Sequence, residues 1–154
     1  LNPENSAANY IFGLANQVRG NLSVAEQCYR TSLKESREGE TLNNLAVLLA
    51  SKGELEEALS LAEEATTVKP DYASAWDTLG SCLLQSGRLS EARTALEQAL
   101  QLEPDKPASA LNLLDVLARE GDRESATALM ESLEMLELSD EQVSRFDALR
   151  AQVK

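Results

Sequence analysis

The sequence predicts an all-α solenoid of four helix-turn-helix units closed by a C-terminal capping helix. Three observations predict it. Apolar residues recur at helical spacing, as in Trp76, Leu79, Gly80 and Leu83. Gly53, Gly87 and Gly121 stand 34 residues apart, and Gly20 stands 33 before Gly53. Ala58, Ala92 and Ala126 keep the 34-residue step, with Ala25 33 before Ala58. Four glycines and four alanines in one phase mark an internal repeat.

Composition supports closely packed helices. Hydrophobic residues are 43% of the 154 but aromatics only 4%, so the core is built of Leu and Ala. The net charge of −12 is spread evenly: residues 1–77 hold 12 acids and 6 bases, residues 78–154 hold 14 and 8. No segment gathers Lys or Arg, which argues against nucleic acid or an anionic membrane as ligand. No run of 18 apolar residues exists, so direct membrane insertion is not expected. There is no histidine, and Cys28 and Cys82 each fall in a helical pattern as small buried residues. The cysteines do not fix a redox compartment, and localisation stays open between cytoplasm and periplasm.

The elements follow in order. Leu1-Asn2-Pro3-Glu4-Asn5 parallels Leu102-Glu103-Pro104-Asp105-Lys106, so residues 1–5 read as the tail of a preceding repeat in a longer array. Unit one spans 6–38, with Phe12 and Gly13 on its first helix, Gly20 at the turn, and Leu22, Ala25 and Tyr29 lining the second. It lacks a closing proline, and Gly39 is expected to make a pliable junction. Unit two spans 39–72. Leu42, Leu45, Ala46 and Leu49 face inward, Gly53 turns the chain, Leu55, Ala58, Ala62 and Ala65 follow, and Pro70 ends the unit. Unit three, 73–106, breaks at Gly87 and resumes with Leu89, Ala92, Leu96 and Ala99 until Pro104. Unit four, 107–138, is degenerate, with Leu114 in the small slot of Gly13, Ala46 and Gly80, and Arg123 in the slot of Leu22, Leu55 and Leu89. Residues 139–154 form one helix. Ser139 with Gln142 resembles a capping box, and Val143, Phe146, Leu149 and Val153 make its apolar stripe. It reads as a cap over the last unit, with a free interaction helix as the alternative.

The order Trp76, Leu79-Gly80, Ala92, Pro104 resembles the tetratricopeptide repeat (TPR). Leu83 and Leu96 stand where that family usually has a Tyr and another aromatic. The run Asn43-Asn44-Leu45-Ala46 and its counterpart Asp77-Thr78-Leu79-Gly80 are similar to bacterial arrays, including ones of cell-envelope assembly and polysaccharide export. The resemblance implies a right-handed superhelix whose first helices line a concave groove and whose second helices form the outer face. It implies a protein or peptide partner in that groove.

Helix phase then gives the groove residues. They are Tyr10, Leu14, Gln17 and Val18 in unit one, and Asn43, Asn44, Val47 and Ser51 in unit two. Unit three supplies Asp77, Thr78, Ser81 and Gln85, and unit four Leu111, Asn112, Asp115 and Arg119. Asn44 and Asn112 hold one slot and can pair with a peptide backbone as donor and acceptor together. Similar ladders occur in O-GlcNAc transferases, but Ile11 and Thr78 interrupt this one. A solvated Asn44 is the alternative. Chaperone-binding relatives clamp a carboxylate with Lys, Arg and Asn. Here Tyr10, Ser74 and Thr78 fill the cation slots, so that clamp is rejected. Trp76 reads as a packing residue between units, with a stacking platform as the alternative. Tyr10 reads as a binding hot spot, unless it is exposed only because its upstream neighbour is missing.

Enzyme signals are absent. No Gly-rich phosphate loop occurs, no base stands beside a Ser or Cys in any motif, and Glu56-Glu57 and Glu63-Glu64 read as a solvated face. No metal or cofactor is expected. The reading is a non-catalytic protein-interaction scaffold. A regulatory or substrate-presenting arm of a larger enzyme and a self-associating structural module remain as alternatives.

Overall fold

The computed structural model describes residues 5–153. The expected repeat tail at residues 1–5 lies outside them except for Asn5, whose side chain accepts from the Ala8 N–H and caps the first helix. The helices are α1 (Ser6–Val18), α2 (Leu22–Glu35), α3 (Gly39–Ser51), α4 (Leu55–Val68), α5 (Ala73–Gln85), α6 (Leu89–Leu102), α7 (Pro107–Glu120), α8 (Arg123–Leu133) and α9 (Asp140–Val153). Among the described residues there is no strand.

Each in-phase glycine sits just past the end of a first helix with φ between 74° and 82°. A side chain there would crowd its own backbone, so glycine is the residue that lets the chain reverse. Gly53 donates to the Ala50 carbonyl and Glu54 to that of Leu49, both at 3.0 Å; Gly87 and Arg88 repeat the pair with Leu84 and Leu83. These bonds satisfy carbonyls that the helix end leaves open.

The chain divides into two compact units. The first runs to Thr78. In it α1 packs on α2, α2 on α3, and α3 on α4. Ala25 and Ala58 are fully buried at these contacts. Gly13 permits the α1–α2 approach, because a Cβ there would stand 2.6 Å from Tyr29 Cε1. Gly39 does something other than loosen a junction. It is the buried first residue of α3, and a Cβ on it would meet Lys69 Cβ at 2.8 Å. Close approach, not pliability, is what the structure requires of it.

The second unit runs from Leu79. Here α6 packs on α7, α7 on α8, and α9 lies against both α7 and α8. Ala92 and Ala126 are fully buried, as are Leu96 and Leu114. The predicted capping box forms: Ser139 N–H donates to Gln142 Oε1 at 3.0 Å, and Gln142 N–H to Ser139 Oγ at 3.4 Å. Phe146, Leu149 and Val153 bury against the unit, while Val143, at the start of the stripe, stays exposed. In unit one Leu22 is likewise exposed, because it starts α2 before the helix has turned onto α1.

Candidate peptide-docking site

In the first unit, α1 and α3 carry seven half-exposed or exposed residues from the predicted groove: Tyr10, Leu14, Gln17, Val18, Asn44, Val47 and Ser51. Tyr10 is held in place from two sides. Its ring lies 6.2 Å from that of Tyr29, tilted by 41°, and its hydroxyl accepts from Asn44 Nδ2 at 3.4 Å. Tyr29 is fully buried, and its hydroxyl donates to Gln17 Oε1 at 2.6 Å. Burial pushes the Tyr29 phenol up to about 12, so it remains a donor at any ordinary pH. A buried tyrosine from α2 thus orients one groove residue by stacking and another by hydrogen bonding.

Three residues placed on the open face by helix phase are buried instead. Asn43 is 5% exposed, Thr78 8% and Leu111 1%. One residue is 100° of helix rotation, so Asn43 turns into the packed side while Asn44 stays at the surface. Asn43 Oδ1 has no hydrogen-bond partner there. Val18 is 89% exposed at the end of α1, and Ser51 is exposed with its hydroxyl given to the Leu48 carbonyl at 2.6 Å. Asp77 is half-buried, and Trp76 donates its indole N–H to the Pro70 carbonyl at 2.8 Å.

In the second unit Ser81 and Gln85 are joined to each other, Nε2 to Oγ at 3.5 Å. Asn112, Asp115 and Arg119 come together on α7. Arg119 Nε meets Asp115 Oδ1 at 2.6 Å. A residue outside the sequence-derived set joins them: Arg145 of α9 donates to Asn112 Oδ1 at 2.8 Å and lies 3.9 Å from Asp115.

Ion pairs that also went unread join α2, α4 and the connections beside them in the first unit. Arg30 pairs with Glu26 and Glu57, Lys52 with Glu26 and Glu54, and Arg37 with Glu64. Hydrogen bonds from Lys52 and Arg30 hold the Glu26 carboxyl below its usual range, and Arg30 does the same to Glu57. Glu57 and Glu64 are therefore paired rather than simply solvated. Among the described residues no cluster of three His, Cys, Asp or Glu could hold a metal ion, and no helix is long and apolar enough to cross a membrane. Cys28 and Cys82 are free and buried, and burial raises both thiols, Cys82 to about 11.

Two family models described as tetratricopeptide repeat match the sequence, one over residues 38–105 and one over 83–153. A search of curated proteins returned no match. The fold is similar to that of pilF from Pseudomonas aeruginosa, with a TM-score of 0.82 at 22% identity over 99% of this chain and 77% of that one. It is similar to YrrB, described as a TPR protein with an unusual peptide-binding site (0.80, 18%, 97% of this chain and 76% of that). It is also similar to the first TPR of Spaghetti (RPAP3), solved with the HSP90 peptide SRMEEVD (0.73, 18%, 78% and 96%). At these identities the likeness shows the fold, an all-α repeat solenoid.

Proposed function

Because the chain belongs to the tetratricopeptide repeat family, we propose that it is a non-catalytic scaffold that holds an extended segment of a protein partner on the α1–α3 face of its first unit. The observation that carries this reading is the Tyr10–Asn44 pair. An aromatic ring and a primary amide stand side by side at the surface, braced from behind by Tyr29. The ring supplies contact area at little entropic cost, and the amide supplies a donor and an acceptor for a peptide backbone. Leu14 and Val47 add apolar area beside them. The peptide-binding descriptions attached to YrrB and to the Spaghetti repeat are consistent with this use of the fold. The net charge of −12 favours a neutral or basic partner over an acidic one.

The test is affinity capture from a lysate, comparing wild type with the variant Tyr10→Ala, Asn44→Ala after circular dichroism has shown both to be helical. Loss of a captured protein from the variant supports the reading. Equal capture by both overturns it.

Self-association is favoured by a separate observation. Ile11, Phe12 and Val18 of α1 are all exposed apolar residues, an uncommon concentration on one short helix. Sedimentation over a concentration range distinguishes this: a monomer at every concentration removes it.

A further inference from the structure

A cleft of about 430 Å³ opens in the first unit between the start of α1 and the start of α3. Ser6, Ala7 and Tyr10 form one wall, and Ser36, Glu38, Glu40 and Thr41 the other. Its two charged residues are both acidic. Glu40 is engaged by Lys69, whose ammonium also lies 5.2 Å from the centre of the Tyr72 ring. Glu38 has a different environment. Its carboxylate accepts from Ser36 Oγ at 2.5 Å, and among the described residues it meets no cation. Tyr10 belongs to both places: its ring lines the cleft, and its hydroxyl touches Asn44.

From this arrangement we infer that the cleft anchors a basic side chain, lysine or arginine, of the docked partner segment. The inference rests on the docking reading above and adds its specificity. The aliphatic stem of such a side chain fits along Ala7 and the Tyr10 ring, since long basic side chains lie on apolar surface with the charge at the far end. The head then reaches Glu38, which can receive an arginine fork or an ammonium. An aromatic face beside a cation adds a further attraction. Ser6 does not compete for the guest, because its hydroxyl is tied to Ser32 through the carbonyl at 3.2 Å and the hydroxyl at 2.9 Å. The net charge of −12 attracts a basic segment to the chain and repels an acidic one. An apolar side chain gains nothing from the Glu38 charge and an acidic one is repelled by it, so the cleft discriminates by charge.

The experiment is a two-dimensional amide NMR titration with four extended alanine-serine peptides that differ only at one central residue: Arg, Lys, Leu or Glu. The Arg and Lys peptides are expected to shift the amides of Ser6–Tyr10 and Ser36–Thr41, and the Leu and Glu peptides to leave them in place. Glu38→Gln keeps the shape of the side chain and removes its charge. It is expected to weaken the Arg and Lys peptides about two- to fivefold, the range of one exposed ion pair, and added salt should erase the difference. If all four peptides shift Asn44 and Val47 equally and none shifts the cleft, docking stands and the anchor is wrong. If the Leu peptide moves the cleft amides as far as the Arg peptide does, the anchor is again wrong. If no peptide shifts either region at millimolar concentration, both readings fall.

Discussion

Gly80→Ala should destabilise the protein, although alanine is the better helix former. A Cβ on Gly80 would stand 2.5 Å from Leu96 Cγ, 2.8 Å from Leu96 Cδ2 and 3.4 Å from the Ala92 carbonyl oxygen. Carbon atoms in contact prefer about 3.5–4.0 Å, so Leu96 must retreat by about 1 Å. It has nowhere to go, being fully buried, and the atom struck is near the root of the side chain rather than its tip. Overpacking of this kind costs about 1–3 kcal/mol, and this geometry belongs at the upper end. Replacing glycine within a helix returns about 1 kcal/mol. The net expectation is a loss of about 1–2 kcal/mol. Leu96→Ala alone opens a cavity and should cost about 2–5 kcal/mol. Combined, the two changes should not add. The same pair of slots one unit earlier holds Ala46 and Ala62, so an alanine pair suits this helix spacing. With Leu96 gone, the new methyl meets no clash and fills part of the void, and the double variant should exceed the additive expectation by about 1–2 kcal/mol. Urea denaturation of the four proteins, followed by far-ultraviolet circular dichroism, measures this coupling. A Gly80→Ala variant more stable than wild type, or costs that add within about 0.5 kcal/mol, would refute the close-approach argument.

Three further outcomes follow from the same geometry. Gly53→Ala should cost about 1–2 kcal/mol from its φ of 82° alone, because no atom lies within 4 Å of the added methyl; urea midpoints of wild type and variant check it. Glu26 and Glu57 have folded-state carboxyls held below 4.5 by hydrogen bonds from Lys52 and Arg30, so their contribution is present above that value and is lost as pH falls through the lowered folded one. Arg30→Gln should therefore flatten part of the acid limb of the stability–pH curve, and an unchanged limb would show that the two Arg30 pairs contribute nothing. The Cys82 thiol, raised to about 11 by burial, should react with a thiol reagent at neutral pH only as fast as the second unit opens; reaction at the rate of a free thiol would contradict its burial.

What the sequence disclosed and what it withheld have one physical cause. Residues that let two helices approach must be small at fixed intervals, because packing density leaves no latitude. That is why Ala25, Ala58, Ala92 and Ala126 were legible and are all fully buried. The turn glycines were legible for the same kind of reason, a backbone angle that other residues resist. The surface obeys no such constraint. Arg30 finds Glu57 and Arg37 finds Glu64, each 27 residues on, pairings between exposed side chains that the in-phase glycines and alanines do not mark. Gly39 was misread because a glycine at a junction has two uses, and only the position of Lys69 distinguishes them. The candidate site falls between these cases. Asn43 and Asn44 are identical in chemistry and adjacent in sequence, yet one is buried and the other meets Tyr10. A phase error of one residue therefore changes which amide a partner can touch. Asn44→Asp tests the surviving assignment: it keeps the size and the acceptor, removes the donor to Tyr10 and adds a charge. If Asn44 contacts a peptide backbone through its N–H, the variant should weaken a neutral peptide, whereas Asn43→Asp should lower stability by placing a charge in a buried site.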